Sequence, residues 1–274
     1  MGRVVVLGSL NVDLEAKVPR HPNPGEKVVA TSWSRLAGGK GGNQAIAARA
    51  AGARVVMVGA VGADSAGRSY LDRLAGKGIQ LAVDRVTDAP TGHAMITTDG
   101  SGVNEIVVIP GANHRVSRRP LDPIKGLGSA DILLTQLETP PSVVAEAVRQ
   151  AKSWGMRVII NLAPFAELPA DVLDAADPVI VHERDLAALD EGGHRPPELL
   201  VMGGGHASWN GLQVTGPLVP AEQVVDTVGA VDAFCGVLAA ALSFGVDQPT
   251  ALRHALEAAA KTVKHFGSQP DPAL

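Results

Sequence analysis

Short apolar runs alternate with alanine-rich, amphipathic segments along most of the chain, and this alternation constrains the fold more than any other feature. The runs RVVVLGS, ARVVMVGAVG, DILLTQLE and MRVIINL have the length and content of buried strands. The segments NQAIAARAAGA and SAGRSYLDRLAGKG have the pattern of helices, the second with Asp64 as a candidate N-cap. Strands that alternate with helices predict an α/β fold with a doubly wound, mostly parallel sheet flanked by helices.

Two segments interrupt this alternation. Residues 14–37 are turn-rich around HPNPGE, and residues 92–109 contain two strand-like runs around DGSG, which predicts a hairpin. We interpret the two segments as a small antiparallel β lid inserted into an α/β core formed by residues 1–13, 38–91 and 110–274. Because a small open sheet leaves an apolar face uncovered, the lid is expected to close on a ligand or to pair with a second copy of the chain. A homodimer through the lid is the prediction.

Composition and charge exclude several classes of protein. The net charge of −4, with no lysine or arginine run, argues against nucleic acid or an anionic membrane as a partner. No stretch approaches 18 apolar residues and the first apolar run is too short for a signal peptide, so a cytoplasmic protein is expected. The single cysteine, Cys235, excludes an intrachain disulfide, and the eight histidines lack the spacing of a metal site.

A glycine-rich stretch, LAGGKGGNQAIAARAAGA, places a lysine directly before a predicted helix. It is not a Walker loop, because Gly41 follows Lys40 where serine or threonine is required, and Gln44 stands where a dinucleotide fingerprint has its third glycine. Free amides and a cation at a helix N-terminus suit a hydroxyl-rich or anionic ligand. A tight turn with a solvated lysine is an equally good interpretation of this motif alone.

A second stretch, VVDTVGAVDAFCGVLAAAL, opens a long apolar helix near Asp232. The backbone amides of Gly229, Ala230 and Val231 lie at the predicted helix N-terminus, where unpaired donors and the helix dipole favour a phosphate. Asp232 would lie beside that anion, placed to take a proton from an incoming hydroxyl. The alternative is an aspartate that only stabilises the helix terminus.

Together, and in this order, the two stretches closely resemble the two signatures of the PfkB carbohydrate kinases. The resemblance extends over almost the whole chain and includes VVVLGSLNVDL, PNPGEKV, PGAN, LLTQLE and VKHFGSQP. It implies a ribokinase-like fold and transfer of the γ-phosphoryl group of ATP to a sugar hydroxyl, with the 5-hydroxyl of D-ribose as the expected acceptor. It also implies Mg²⁺ with ATP, and K⁺, as cofactors.

The resemblance assigns roles to individual residues. Asp232 would be the general base, and the amides of residues 229–231 would form the anion hole. The glycines would let the sugar lie against the backbone. The residues expected to bind the sugar are Asn11 and Asp13 at the end of the first strand, Gly39, Lys40, Asn43, Glu138 and Asp232. The residues expected on the nucleotide side are His182, Gly203, Gly205 and Gly229, with Asp185 holding Mg²⁺ indirectly and the carbonyls of Asp226 and Val228 binding K⁺.

The sequence departs from the family pattern only on the nucleotide and phosphate side. Val231 replaces a glycine of the anion hole, and the usual Asn-x-x-Glu motif is His182-Glu183-Arg184-Asp185. The nucleotide loop, usually Thr-x-Gly-x-x-Gly, is VMGGGH at residues 201–206. Two alternatives therefore stay open: a catalytically weak or inactive relative that binds sugar or nucleotide, and a PfkB kinase for another sugar or a nucleoside.

Overall fold

The computed structural model describes residues 2–274, which form two sheets flanked by helices. The strands are β1 Arg3–Leu7, β2 Asn11–Lys17, β3 Ser32–Gly38, β4 Arg54–Gly62, β5 Gln80–Val86, β6 Gly92–Thr98, β7 Asn104–Ile109, β8 Ile132–Gln136, β9 Arg157–Asn161, β10 Val179–His182, β11 Leu199–Gly203, β12 His206–Trp209 and β13 Leu212–Thr215. The α-helices are α1 Lys40–Ala50, α2 Ser65–Gly76, α3 Pro141–Ser153, α4 Ala170–Asp174, α5 Leu186–Glu191, α6 Ala230–Ser243 and α7 Gln248–Thr262.

The larger sheet of the described chain has nine strands in the order β13-β12-β11-β10-β9-β8-β1-β4-β5. In this sheet order, all neighbours from β11 through β10, β9, β8, β1 and β4 to β5 pair in parallel. β12 and β13 add an antiparallel edge. This arrangement confirms the predicted α/β fold with a doubly wound, mostly parallel sheet.

Both faces of this sheet are buried. In β1, Val4 and Val6 belong to one hydrophobic cluster, and Val5 and Leu7 belong to the other, because successive side chains of a strand point to opposite faces. Residues of α1, α2, α6 and α7 cover the first face, and residues of α3, α4 and α5 cover the second. This two-sided burial explains why the strands are continuous apolar runs in the sequence.

The second sheet has four strands in the order β3-β2-β6-β7. The β2–β3 and β6–β7 pairs are antiparallel, whereas β2 and β6 run in parallel. The sheet therefore joins the two segments that interrupt the α/β alternation in the sequence.

Asn11 and Asp13 lie in β2, within the smaller sheet, and not at the end of the first strand as predicted. The chain leaves the large sheet after Leu7, at Gly8. A Cβ atom at Gly8 would stand 1.5 Å from Nε2 of Gln136, so a side chain there would displace the buried Gln136 amide. The turn carries the two polar residues to the small sheet.

No helix within residues 2–274 is long and apolar enough to cross a membrane.

Candidate active site

A cavity of about 940 Å³ lies between the small sheet and the carboxyl ends of several strands of the large sheet. This is the position at which open α/β sheets bind their ligands. Fifteen of the residues proposed from the sequence line it: Asn11, Asp13, Gly39, Lys40, Asn43, Glu138, His182, Gly203, Gly205, Asp226, Val228, Gly229, Ala230, Val231 and Asp232. Asp185 is the exception, because it lines a neighbouring cavity of about 630 Å³ that shares Asn11, Lys40 and Glu138 with the first.

The glycine-rich turn brings α1 against the start of β2. Gly39 has φ 81°, and a Cβ atom there would lie 2.8 Å from the backbone nitrogen of Asn11. A Cβ atom at Gly41 would lie 2.6 Å from the carbonyl carbon of Gly8. The close approach that these two glycines permit is therefore between two turns of the chain itself, whereas the sequence suggested an approach by the sugar.

Glu138 caps the N-terminus of α1. Its Oε2 accepts a hydrogen bond from the backbone nitrogen of Lys40 at 3.0 Å, and the Ser9 hydroxyl donates to the same oxygen. A carboxylate at this end of a helix also interacts favourably with the helix dipole. The lysine side chain is thus presented to the cavity from a fixed backbone.

The charges of two carboxylates, Asp232 and Glu138, act on the ammonium group of Lys40. Burial lowers the pKa of Lys40, but the charges of Asp232 and Glu138 outweigh that effect, so its pKa is raised above the usual value. The ammonium group therefore stays charged in the cavity and offers donors to a hydroxyl or a phosphate.

Asp232 is buried in the first turn of α6, and both of its carboxylate oxygens accept hydrogen bonds. Asn43 donates from Nδ2 to Oδ2 at 2.9 Å, and Gln44 donates from Nε2 to Oδ1 at 3.0 Å. Burial raises the pKa of Asp232, while Lys40 and the two amides oppose this by stabilising its charged form. The result is a carboxylate that two amides hold in place and whose pKa is raised, which suits a general base.

Asn11 and Asp13 provide open polar groups on the small sheet. Asn113 donates from Nδ2 to Oδ1 of Asn11 at 2.7 Å. The oxygen of the Asn11 side chain is therefore engaged, and its Nδ2 is the group that can donate to a ligand. Oδ1 of Asp13 is buried without a hydrogen-bond partner among residues 2–274. Burial, with the charges of Glu138 and Glu15, raises the pKa of Asp13 to about 7. An unsatisfied buried acceptor beside amide and ammonium donors fits a ligand with several hydroxyls.

The N-terminus of α6 presents free backbone donors to the same cavity. Gly229, the N-cap, has φ 81°, and a Cβ atom there would lie 2.6 Å from Cα of Ser268. The Ala230 amide makes one long contact, 3.4 Å, to the carbonyl oxygen of Thr227. The Gly229 and Val231 amides donate to no other group of the described chain. The Val231 side chain packs partly against the hydrophobic core, while its backbone amide is a free donor at this helix end.

Asp226 shapes the loop before α6. Its Oδ1 accepts from the backbone nitrogen of Val228 at 2.9 Å, and its Oδ2 accepts from the backbone nitrogen of Gly267 at 3.0 Å. The carbonyl oxygens of Asp226 and Val228 accept no hydrogen bond from the described residues. Carbonyl oxygens that are free of hydrogen bonds fit a hard cation.

The nucleotide side of the cavity is formed by the β11–β12 turn and by the residues after β10. Gly204 and Gly205 make a two-residue turn with φ 52° and 80°, which a glycine pair adopts without strain. Nδ1 of His182 accepts from the backbone nitrogen of Arg184 at 3.2 Å, so only Nε2 of the ring is left for a ligand. Within residues 2–274 no group of three or more His, Cys, Asp or Glu side chains is arranged to hold a metal ion.

Several residues of the site have no role in the sequence-based account. Gln44 contacts the carboxylate of Asp232, and Ser268 and Gln269 contact Asn43. Arg184 lines both cavities and is mostly exposed. The run VKHFGSQP contains Ser268 and Gln269. Nothing in its spacing relates it to the glycine-rich turn more than 200 residues earlier.

The sequence matches a family model and several relatives over nearly its whole length. The model of the pfkB family carbohydrate kinases matches residues 1–193 and 207–274, so the unmatched stretch, residues 194–206, includes the whole nucleotide loop at residues 201–206. Ribokinase of Bacillus subtilis is 34% identical over 98% of this chain and 95% of its own length, and ribokinase of Arabidopsis thaliana is 31% identical over 97% and 77%.

Solved structures show the same fold. A structure of Arabidopsis thaliana ribokinase complexed with ribose and ATP has a TM-score of 0.85 and 29% identity, and the match covers 100% of this chain and 96% of that one. Ribokinase from Thermotoga maritima has a TM-score of 0.86 and 28% identity, and the match covers 98% and 95%.

Proposed function

Because this chain belongs to the pfkB family of carbohydrate kinases, we propose that it transfers the γ-phosphoryl group of ATP to the 5-hydroxyl of D-ribose. The observation that carries this proposal is the arrangement around Asp232. A buried carboxylate lies in the first turn of α6, beside free backbone donors and next to open groups that suit a polyol. One cavity thus holds a base, an anion site and a sugar site.

In this proposal the sugar lies between the small sheet and the N-terminus of α1. Asp13 accepts hydrogen bonds from sugar hydroxyls, while Lys40 and the amide of Asn11 donate to them. These contacts direct the reacting hydroxyl towards Asp232. Positioning of this kind is a large part of catalysis in phosphoryl transfer, because the protein forms few covalent bonds itself.

Asp232 takes the proton of the attacking hydroxyl. The oxygen then bonds to the γ-phosphorus as the bond from that phosphorus to the β,γ-bridging oxygen breaks, and ADP leaves with the bond's electron pair. The free amides at the N-terminus of α6 stabilise the negative charge on the transferring group. Val231 keeps its amide available for this role although it replaces a glycine.

The residues present fit the two cations that the family implies. Mg²⁺ enters with ATP and would be held through the phosphates and Asp185, whose side chain lines the neighbouring cavity. K⁺ would be held by the carbonyl oxygens of Asp226 and Val228. Together these cations would reduce the negative charge around the reacting phosphates.

We also propose that the four-stranded sheet is a lid that pairs with a second copy of the chain. Every residue of β7 is exposed, and apolar side chains project from it on both faces. Ile106 and Val108 face the cavity, whereas Val107 and Ile109 alternate with them and face away. An exposed apolar edge strand of this kind is the surface that a homodimer would cover.

ADP release tests the proposed activity. The wild-type protein is assayed with ATP, Mg²⁺ and K⁺ against a panel of pentoses, hexoses and nucleosides, with Asp232→Asn as the blank. We expect turnover with D-ribose well above that blank. Preference for another sugar or a nucleoside would show that D-ribose is not the substrate. No turnover, together with ribose binding measured by calorimetry, would favour a binding protein.

A further inference from the structure

The side-chain amide of Asn43 lies between the base and the C-terminal segment. Its Nδ2 donates to Oδ2 of Asp232 at 2.9 Å. Its Oδ1 accepts from the Ser268 hydroxyl at 2.9 Å and from Nε2 of Gln269 at 2.8 Å. Both ends of the amide are therefore engaged, one by an acceptor and the other by two donors.

The two donors decide which end of the amide faces Asp232. An asparagine amide has nearly the same shape in its two flipped orientations, so packing alone does not choose between them. Oδ1 accepts hydrogen bonds and Nδ2 donates them, so donors from Ser268 and Gln269 hold Oδ1 on their side. The N–H group then faces the carboxylate, where it stabilises the charged form that a base requires.

Gln269 is itself held in one orientation. It is fully buried; its Oε1 accepts from Nε of Arg73 at 3.3 Å, and its Nε2 also lies 3.1 Å from the hydroxyl of Tyr70. That hydroxyl donates to the carbonyl oxygen of Gly38 at 2.6 Å, so the Nε2 of Gln269 is the donor in the Tyr70 contact. A continuous set of hydrogen bonds runs from α2 through Gln269 to the base.

From this network we infer that Ser268 and Gln269 are positioning residues for Asp232, which act by fixing the orientation of the Asn43 amide. The inference rests on the proposed function, in which Asp232 is the base. Gln44 is the second donor to Asp232, but its Oε1 is buried without a hydrogen-bond partner among residues 2–274. No donor therefore fixes the orientation of the Gln44 amide. Asn43 is the donor to Asp232 whose orientation is fixed by other residues.

The same segment is attached to the small sheet. The Ala37 amide in β3 donates to the carbonyl oxygen of Pro272 at 2.7 Å, and the Leu274 amide donates to the carbonyl oxygen of Arg35 at 3.1 Å. The residues that orient Asn43 are thus continuous with residues that pair with β3. Displacement of that strand would be transmitted to the amide beside the base.

The test measures the protonation of Asp232 directly. The titratable groups that face or influence Asp232 are Lys40 in α1, Glu138 after β8, Cys235 in α6 and Tyr70 in α2. Ser268 makes no hydrogen bond to any of them, and Gln269 makes one only to Tyr70, so neutral substitutions at residues 268 and 269 leave the charges around Asp232 unchanged. A rise in the pKa of Asp232 in such variants would therefore report the loss of the Asn43 donor.

Gln269→Met is the main variant, because it nearly preserves volume, adds no charge and removes the Nε2 donor to Oδ1 of Asn43. Ser268→Ala removes one of the two donors and is the milder variant. Gln150→Ala is the matched control, since Gln150 is a buried glutamine whose amide donates to Asp122 at 2.9 Å and which lines neither cavity. Asp232→Asn identifies the Asp232 signal in a carboxyl ¹³C NMR titration.

We expect the pKa of Asp232 to rise in Gln269→Met and, by less, in Ser268→Ala, and to stay at the wild-type value in Gln150→Ala. We expect kcat to fall in the same order, with the acidic limb of the kcat profile moved to higher pH. An unchanged Asp232 titration in both variants would overturn the inference, whatever their activity. Absence of wild-type turnover would contradict the proposed function, and the NMR titration would still decide the positioning role.

Discussion

Burial and neighbouring charges change the pKa of single residues in the cavity, and Asp13 is an example. Its carboxyl is largely buried, and its pKa is raised to about 7 by burial and by Glu138 and Glu15. The pKa in the unfolded chain is near the ordinary 3.8, so the folded state holds a proton that the unfolded state has lost between these values. This carboxyl therefore lowers the stability of the fold as pH rises from about 4 to 7.

Sugar binding is expected to release this proton. A hydroxyl that donates to Asp13 favours the carboxylate, so ribose affinity should weaken below pH 7 by up to about tenfold per pH unit. Calorimetry at pH 6 and pH 8, in buffers with different heats of ionisation, measures both the affinity and the proton release. Asp13→Asn should show no proton release; equal wild-type affinity at both pH values would show that Asp13 does not bind the sugar as a carboxylate.

Arg184 brings a positive charge to the junction of the two cavities, in one of the segments that depart from the family pattern. Within residues 2–274 its charge partner is the adjacent Asp185, at 3.6 Å, and the side chain is 75% exposed. A guanidinium at this place is available to the phosphates of ATP. A hydrogen bond to a charged group contributes about 1.5–3 kcal/mol, so Arg184→Met should raise the KM for ATP by about ten- to a hundredfold.

Steady-state kinetics with varied ATP measures this effect. Arg195→Met is the control, because Arg195 is an exposed arginine, 3.9 Å from Asp190, that lines neither cavity. A KM for ATP that is the same in Arg184→Met and in Arg195→Met would exclude a role for Arg184 in nucleotide binding.

At the scale of single elements, the β3–α1 turn depends on a glycine that the site needs for its geometry. Gly39→Ala would place a Cβ atom 2.8 Å from the Asn11 nitrogen at a φ of 81°. We expect a loss of more than about 1 kcal/mol in the free energy of unfolding. Gly76→Ala is the matched control in the last turn of α2, where nothing lies within 4 Å and stability should be equal or slightly higher.

Chemical denaturation of the two variants measures the difference. A Gly39→Ala protein as stable as Gly76→Ala would mean that the turn has another accessible conformation, and the placement of Lys40 would lose its explanation.

The elements that local patterns specify were predictable from the sequence. Burial on both faces makes β1 and β4 continuous apolar runs, and Asp64 begins α2 by accepting from the Gly67 nitrogen at 2.8 Å, as its sequence position predicts. The parallel pairing of β2 with β6 was not predictable, since the two strands lie about 80 residues apart and nothing local specifies the pairing. The orientation of the Asn43 amide was equally inaccessible, because donors from the far end of the chain decide it.

For the whole molecule, the small sheet is predicted to be an interface between two copies of the chain. Val107→Glu would place a charge on the exposed face of β7 that does not line the cavity. We expect this variant to shift the protein from dimer to monomer in light scattering over a range of concentrations, because burying an unpaired carboxylate is costly. Gln213→Glu adds the same charge to the exposed edge strand β13 and should leave the mass unchanged.

If the wild-type protein is a monomer at every concentration, the dimer proposal is wrong and the exposed face of β7 needs another explanation. If both variants become monomeric, general charge repulsion and not the lid would be responsible.

The whole cavity combines a sugar side that keeps the family pattern with a phosphate side that departs from it. The account requires that Asp232 still acts as a base despite Val231, His182 and Asp185. In the structure, Asp232 keeps its two amide donors, its lysine neighbour and the free amides before it. These contacts are the physical reason to expect activity.

The most direct test of this claim compares wild-type protein with Asp232→Asn in two assays, ADP release with saturating D-ribose and ATP, and calorimetric binding of D-ribose alone. We expect kcat to fall by about 10²–10⁴-fold, the usual contribution of a general base, while the ribose Kd changes little. Equal turnover by the two proteins would contradict the assignment of Asp232 as the base and, with it, the proposed mechanism.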